Sequence, residues 1–194
     1  LDLAEVVLLL HSIGIPRAAQ FDWLDKPDPQ AVERAEKLLI TLGALDEGGT
    51  AAGKGKEAPR SCDLTATGRQ MLRLPMHPRY SRMLVEAAKF GCVPAAALCA
   101  ALVSGRDMLM RLGRDDKHIA EARELFEASP ESDFYTLLRA YQFAKKSGFG
   151  VETCRRYGIH AQTARQVEQT FEQIMQIARQ QGLIRGAEGE LKPA

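Results

Sequence analysis

Apolar positions along this chain recur mostly at helical spacing, in blocks separated by glycine and proline. Residues 1–13 predict a strongly apolar helix, stopped by Gly14 and Pro16. Phe21, Trp23 and Leu24 follow, then the turn-forming Asp25-Lys26-Pro27-Asp28-Pro29. The usual burial of aromatics places Phe21 and Trp23 as wedges between helices. A second helix is predicted over 29–42, with Asp28 as its N-cap and Pro29 in its first turn. Val32, Ala35, Leu38, Leu39 and Leu42 share one face of it, and Gly43 ends it. Residues 44–47 and 62–64 read as two short strands around a small, polar, mobile stretch. Helix, strand, loop, strand, helix is the order of a winged helix.

Beyond Thr65 the pattern is almost wholly helical. Thr65 or Thr67 caps a helix through Leu72. The next runs from Tyr80 to Phe90, with Tyr80, Met83, Leu84 and Ala87 on one face and Gly91 at its end. Pro94 starts an Ala-rich helix to Val103, and 107–112 is a further short element. A helix from 116 or 117 to 128 turns Ile119, Ala122, Leu125 and Phe126 inward. Ser132-Asp133 caps another, carrying Leu137, Leu138, Tyr141 and Phe143, and Gly148 ends it. A last long helix from 160 or 161 to 181 bears the stripe Val167, Phe171, Ile174 and Ala178.

The 194 residues are enough for one large domain or two small ones. A 45% hydrophobic and 26% charged composition is that of an ordinary globular chain. The net charge of +1 excludes any argument from whole-protein charge, so a basic surface has to be local. Cys62, Cys92, Cys99 and Cys154 are scattered, a reduced, intracellular pattern without a disulfide framework or zinc spacing. The apolar run near 93–103 is too short to span a bilayer, and no signal peptide is visible. The chain opens on Leu1 in an already helical pattern, which suggests a piece of something longer.

Catalytic patterns are missing. Gly48-x4-Gly53-Lys54 imitates a phosphate loop, but Gly55 stands where a Mg-binding Ser or Thr belongs and no helix starts at Lys54. His11, His77, His118 and His160 are isolated from one another and from metal-spaced cysteines. One segment differs. Residues 139–166 carry Arg139, Lys145, Lys146, Arg155, Arg156 and Arg165 against Glu152 alone. His160, Gln162, Thr163 and Gln166 lie among them, around the start of the last helix, where free N–H groups and the helix dipole favour anions. Such a set is either a partnerless basic face or a nucleic-acid backbone site.

Several motifs together resemble the C-terminal helicase-associated region of DEAH-box RNA helicases, of the bacterial HrpA/HrpB type. They are Phe21-Asp22-Trp23-Leu24-Asp25-Lys26-Pro27-Asp28-Pro29, Leu42-Gly43-Ala44-Leu45-Asp46, Leu64-Thr65 with Gly68-Arg69, and Leu74-Pro75 through Met83-Leu84. Gly91-Cys92, 100–104, Ser132-Asp133-Phe134 and Cys154-Arg155 through Ile159-His160 follow in register, with Phe134 and His160 replacing the family's frequent His and Asn. The resemblance implies a mainly α fold. Residues 1–73 would form a winged helix with a long wing at about 47–61, and 74–194 a ratchet-like helical bundle. It implies an accessory, non-catalytic fragment of an ATP-dependent RNA helicase that helps enclose single-stranded RNA. RNA contacts would fall on Arg155, Arg156, His160, Gln162, Thr163 and Arg165. ATP and Mg would belong to RecA-like domains of the same parent, and an oligonucleotide-binding-fold domain would close the RNA channel. The parent is expected to be cytoplasmic and monomeric. A free-standing winged-helix regulator and a purely structural adaptor are the rival readings. The first is disfavoured because the helix before the wing mixes Glu33 and Glu36 with Arg34 and Lys37.

Overall fold

The computed structural model describes residues 2–15, 17–46, 63–113, 115–126 and 132–184. They are mainly α-helical and fall into two compact units, 1–90 and 91–194. The expected wing at about 47–61 and the loop resembling a phosphate site lie outside the described residues.

In the first unit, helix α1 (Ala4–Ser12) packs against α2 (Pro29–Thr41). Val7, Leu8 and Leu10 of α1 are buried, as are Val32, Ala35 and Leu39 of α2. The start of α2 follows its sequence signals: the Asp28 carboxylate accepts from the Gln30 N–H at 3.1 Å, and Pro29 fills the first position. A short 3-10 turn, Ala18–Gln20, lies against both helices. The aromatic wedge does not form. The Trp23 indole N–H donates to the Ala18 carbonyl at 2.9 Å, and its half-buried ring meets Phe21 edge-on within the turn. These local contacts satisfy the pair where it stands, and Phe21 and Leu24 remain exposed.

Among the described residues the two expected strands are represented by one antiparallel bridge, Leu45 with Leu64; residues 47 and 62 lie outside them. Asp46 N–H donates to Asp63 O and Thr65 N–H to Ala44 O, each at 3.0 Å. Thr65 then opens α3 (Ala66–Met71): its hydroxyl accepts from the Gly68 N–H at 2.9 Å and donates to the Gly43 carbonyl at 2.6 Å. Helix α4 (Pro78–Lys89) packs on α3 and thus joins this unit. Its N-cap is His77, whose Nδ1 accepts from the Arg79 N–H at 3.2 Å while Nε2 lies 2.8 Å from the Asp2 carboxylate. Asp2 also accepts from the Ala4 N–H at 3.0 Å, so one carboxylate ties the start of α1 to the start of α4.

The second unit is built around α9 (Ala161–Gln180), which packs chiefly against the Ala-rich α5 (Val93–Ser104). Ala97, Leu98, Ala100 and Ala101 on α5 are buried, and so is the α9 stripe Val167, Phe171, Ile174 and Ala178. Small side chains on α5 let the two helices approach closely. Helix α6 (Lys117–Arg123) tightens into a 3-10 turn at Glu124–Phe126. That change of pitch buries Phe126 but swings Leu125 outward, contrary to its expected inward position. Phe126 joins Phe143 of α7 (Asp133–Lys146) and Tyr157 in an aromatic cluster with centroids 4.4–5.8 Å apart. A six-residue helix, α8 (Val151–Arg156), precedes α9 and has no counterpart in the sequence reading. Residues 107–112 form no helix; Leu109 is bridged to Ile159 instead.

Two outcomes are expected. A methyl group at Gly68 would meet the Ala44 carbonyl oxygen at 2.3 Å and Leu64 Cδ1 at 2.7 Å, at the bridge itself. Gly68→Ala should therefore lower stability in thermal melts by about 1–3 kcal/mol. Asp2 is held below the ordinary carboxylate range, first by the Ala4 N–H and then by His77. Its contribution is present above the unfolded pKa and lost as pH falls through the depressed one. The stability gap between the native chain and Asp2→Ala should be widest above about pH 5 and begin to narrow only below about pH 4.

Candidate nucleic-acid interface

Two segments far apart in sequence are joined by backbone pairing. Met110 N–H donates to Gly158 O at 2.8 Å, and His160 N–H donates to Met108 O at 2.9 Å. The Arg123 guanidinium closes the edge of this pair: Nη2 donates to Met110 O at 2.9 Å and to Gly158 O at 2.8 Å. Gly158 sits at φ +64°, in the left-handed region, where glycine is favoured. The chain turns there between α8 and α9, and His160 becomes the N-cap residue of α9.

The pairing brings the loop after α5 beside α8 and the first turns of α9. Between them runs an open groove of about 870 Å³. Gly105, Arg106, Asp107 and Met110 line it from the loop side. Val151 and Arg155 line it from α8, and His160, Gln162, Thr163 and Gln166 from the start of α9. The two α8 residues are four apart and thus share a helix face, as do Gln162, Thr163 and Gln166 on α9. The His160 side chain makes no capping bond, which leaves first-turn N–H groups of α9 for other acceptors. Guanidinium, imidazole, amide and hydroxyl groups converge here with one carboxylate, Asp107. Such a surface can hold phosphate and sugar oxygens but offers no nucleophile paired with a base.

Of the six residues expected to touch RNA, the structure brings Arg155, His160, Gln162 and Thr163 together in this groove. Arg156 faces a separate cavity with Asp116, His118, Ile119 and Glu152, and Arg155 borders both. Arg165 lines neither. Its Nη2 donates to the Phe149 carbonyl at 2.9 Å and supports the turn where Phe149 itself adopts φ +56°. Lys145 is also engaged, 2.8 Å from the Glu168 carboxylate that accepts from the Tyr141 hydroxyl. Burial, with Glu172 adding to it, raises the Glu168 carboxyl above its ordinary value. Arg106 and Arg123 escaped the sequence reading. Both lie outside the basic segment, and only the pairing of 108–110 with 158–160 brings them to it.

Among the described residues no group of three or more His, Cys, Asp or Glu could hold a metal ion. No described helix is long and apolar enough to cross a membrane.

Comparison with known proteins agrees with this architecture. Residues 35–76 match the family described as helicase associated domain (HA2), winged-helix, and residues 77–137 the one described as helicase associated domain (HA2), ratchet-like. Over 176 residues the chain is 28% identical to the pre-mRNA-splicing factor ATP-dependent RNA helicase prp22 of Schizosaccharomyces pombe. That alignment covers 91% of this chain but 14% of the relative's length, and it is too long to leave the groove out. The chain thus carries winged-helix and ratchet-like helicase-associated domains of the DEAH-box kind. The boundary between the two families falls at 76/77, one helix before the packing boundary at 90/91, because α4 lies against α3.

A side chain at Gly158 would place Cβ 2.3 Å from Arg123 Nη2 and 2.8 Å from Ile119 Cγ2, on an already unfavourable φ. Gly158→Ala should lower stability by about 1–3 kcal/mol and displace the Arg123 clamp. Thermal melting and joint movement of the Met110 and His160 amide resonances would register it.

Proposed function

We propose that this chain is the accessory part of an ATP-dependent RNA helicase of the bacterial HrpA/HrpB type, and that its groove guides single-stranded RNA during translocation and unwinding. The observation that carries this reading is the convergence of Arg106, Arg155, His160, Gln162 and Thr163 on one open groove at the start of α9. Contacts of this kind engage phosphate and sugar and carry no sequence information. ATP and Mg act in RecA-like domains of the parent chain, and an oligonucleotide-binding-fold domain closes the RNA channel over the bundle. The parent works as a cytoplasmic monomer.

A free-standing DNA-binding winged helix fits less well. On α2, Lys37 pairs with Glu33 at 2.7 Å and Arg34 with Asp28 at 3.7 Å, so its cations already have acidic neighbours. A major-groove helix would present them to phosphates and bases.

Labelled single-stranded RNA titrated with the chain across a salt series tests the reading. Binding should fall near 10⁻⁴ to 10⁻⁶ M, on the order of non-specific backbone binding, and weaken with salt. Arg155→Ala should weaken it and flatten the log–log salt slope by roughly 0.7. Absence of binding at low salt would favour the structural adaptor instead.

A further inference from the structure

Helix α8 separates the groove from a second concave surface, and the second has a different chemistry. This cavity, about 360 Å³, is lined by Asp116, His118 and Ile119 from the start of α6 and by Glu152, Arg155 and Arg156 from α8. Its size lies at the lower end of the ~300–1,000 Å³ range of small-ligand clefts. Val151 and Arg155 face the groove, while Glu152 and Arg156, also four apart, face the cavity. Arg155 stands on the crest and borders both, so a strand in the groove reaches the cavity by crossing one short helix.

The charges decide what the cavity can take. Two arginines are balanced there by two carboxylates, whereas the groove sets Arg106 and Arg155 against Asp107 alone. A phosphate placed against the carboxylates would be repelled; an uncharged group bearing hydroxyl donors would not. Asp116 is already committed, accepting from the Gly113 N–H at 2.8 Å. The Glu152 carboxylate is exposed and has no hydrogen-bond partner among the described residues.

We infer that this cavity binds a ribose of the strand held in the groove, with Glu152 accepting a hydrogen bond from its 2′-hydroxyl, and that the chain thereby prefers RNA to DNA. Arg155 and Arg156 hold the flanking phosphates. In DNA the donor is missing, and the carboxylate faces the backbone with water in place of the hydroxyl. The inference rests on the groove reading above, and it adds the sugar as the recognised group.

The test compares oligonucleotides of one sequence as RNA, as deoxyuridine-containing DNA and as 2′-O-methyl RNA, by anisotropy at low salt. The native chain should bind RNA about fivefold more tightly than DNA, a discount for exposure on the usual strength of a charged hydrogen bond. The 2′-O-methyl strand, which lacks the donor, should behave like DNA. Glu152→Ala should tighten DNA binding but not RNA binding, bringing the ratio near one; Glu152→Gln, which keeps an acceptor, should retain part of it. Equal affinity of the native chain for RNA and DNA overturns the sugar site and spares the groove. So does equal tightening of both strands in Glu152→Ala, which would make Glu152 a repulsive surface charge only. No binding of any strand overturns the groove reading, and this one with it. The methylated strand keeps the question decidable if the Glu152 variants fail to fold.

Discussion

The second unit depends on the pairing of residues 108–110 with 158–160. Two backbone hydrogen bonds join segments about fifty residues apart, and the Arg123 guanidinium caps two of the carbonyls at the edge of the pair. An isolated bridge of this size has little stability of its own. Here it is framed by the buried side chains of Met108 and Ile159 and by a charged donor, which makes stronger bonds than a neutral one. Both walls of the groove hang from it: Arg106 on one side, His160 and the start of α9 on the other.

What could be read from the sequence was local. Asp28 before Pro29, Thr65 before Gly68, and Ser132 before Phe134 announce their helices because a cap involves residues only two or three apart. The α9 stripe was legible because twenty helical residues repeat a periodic pattern several times. Helix α8 has six residues, too few for a period to emerge. Residues 107–112 look like one more helical fragment until their partner at 158–160 is known. Half-buried Trp23 and exposed Phe21 and Leu24 show the same limit, since composition gives the usual fate of an aromatic but not the carbonyl that satisfies it within its own turn. The site was legible in part. Charge counting found the basic segment, but could not say that Arg165 serves the Phe149 carbonyl or that Arg106 faces Arg155's groove.

Formal charge overstates the field in the groove because cations of the basic segment are engaged elsewhere. Lys145 is drawn to Glu168, and the Arg165 guanidinium leans on the turn before α8. The cations that remain at the groove come from two different segments, Arg106 and Arg155. Attraction for a polyanion there comes from a few well-placed donors, a regime in which geometry matters more than net charge.

Helix α8 carries Arg155 and Arg156 yet comprises one and a half turns, well below the length at which a helix persists by itself. Its one fully buried side chain is Cys154, and it packs chiefly against α9. The helix is thus a candidate for local opening, a cooperative event that would release both arginines together without unfolding the α5–α9 core. Any ligand spanning them stabilises the closed form by mass action, so occupancy of the surface and order in α8 are two views of one equilibrium.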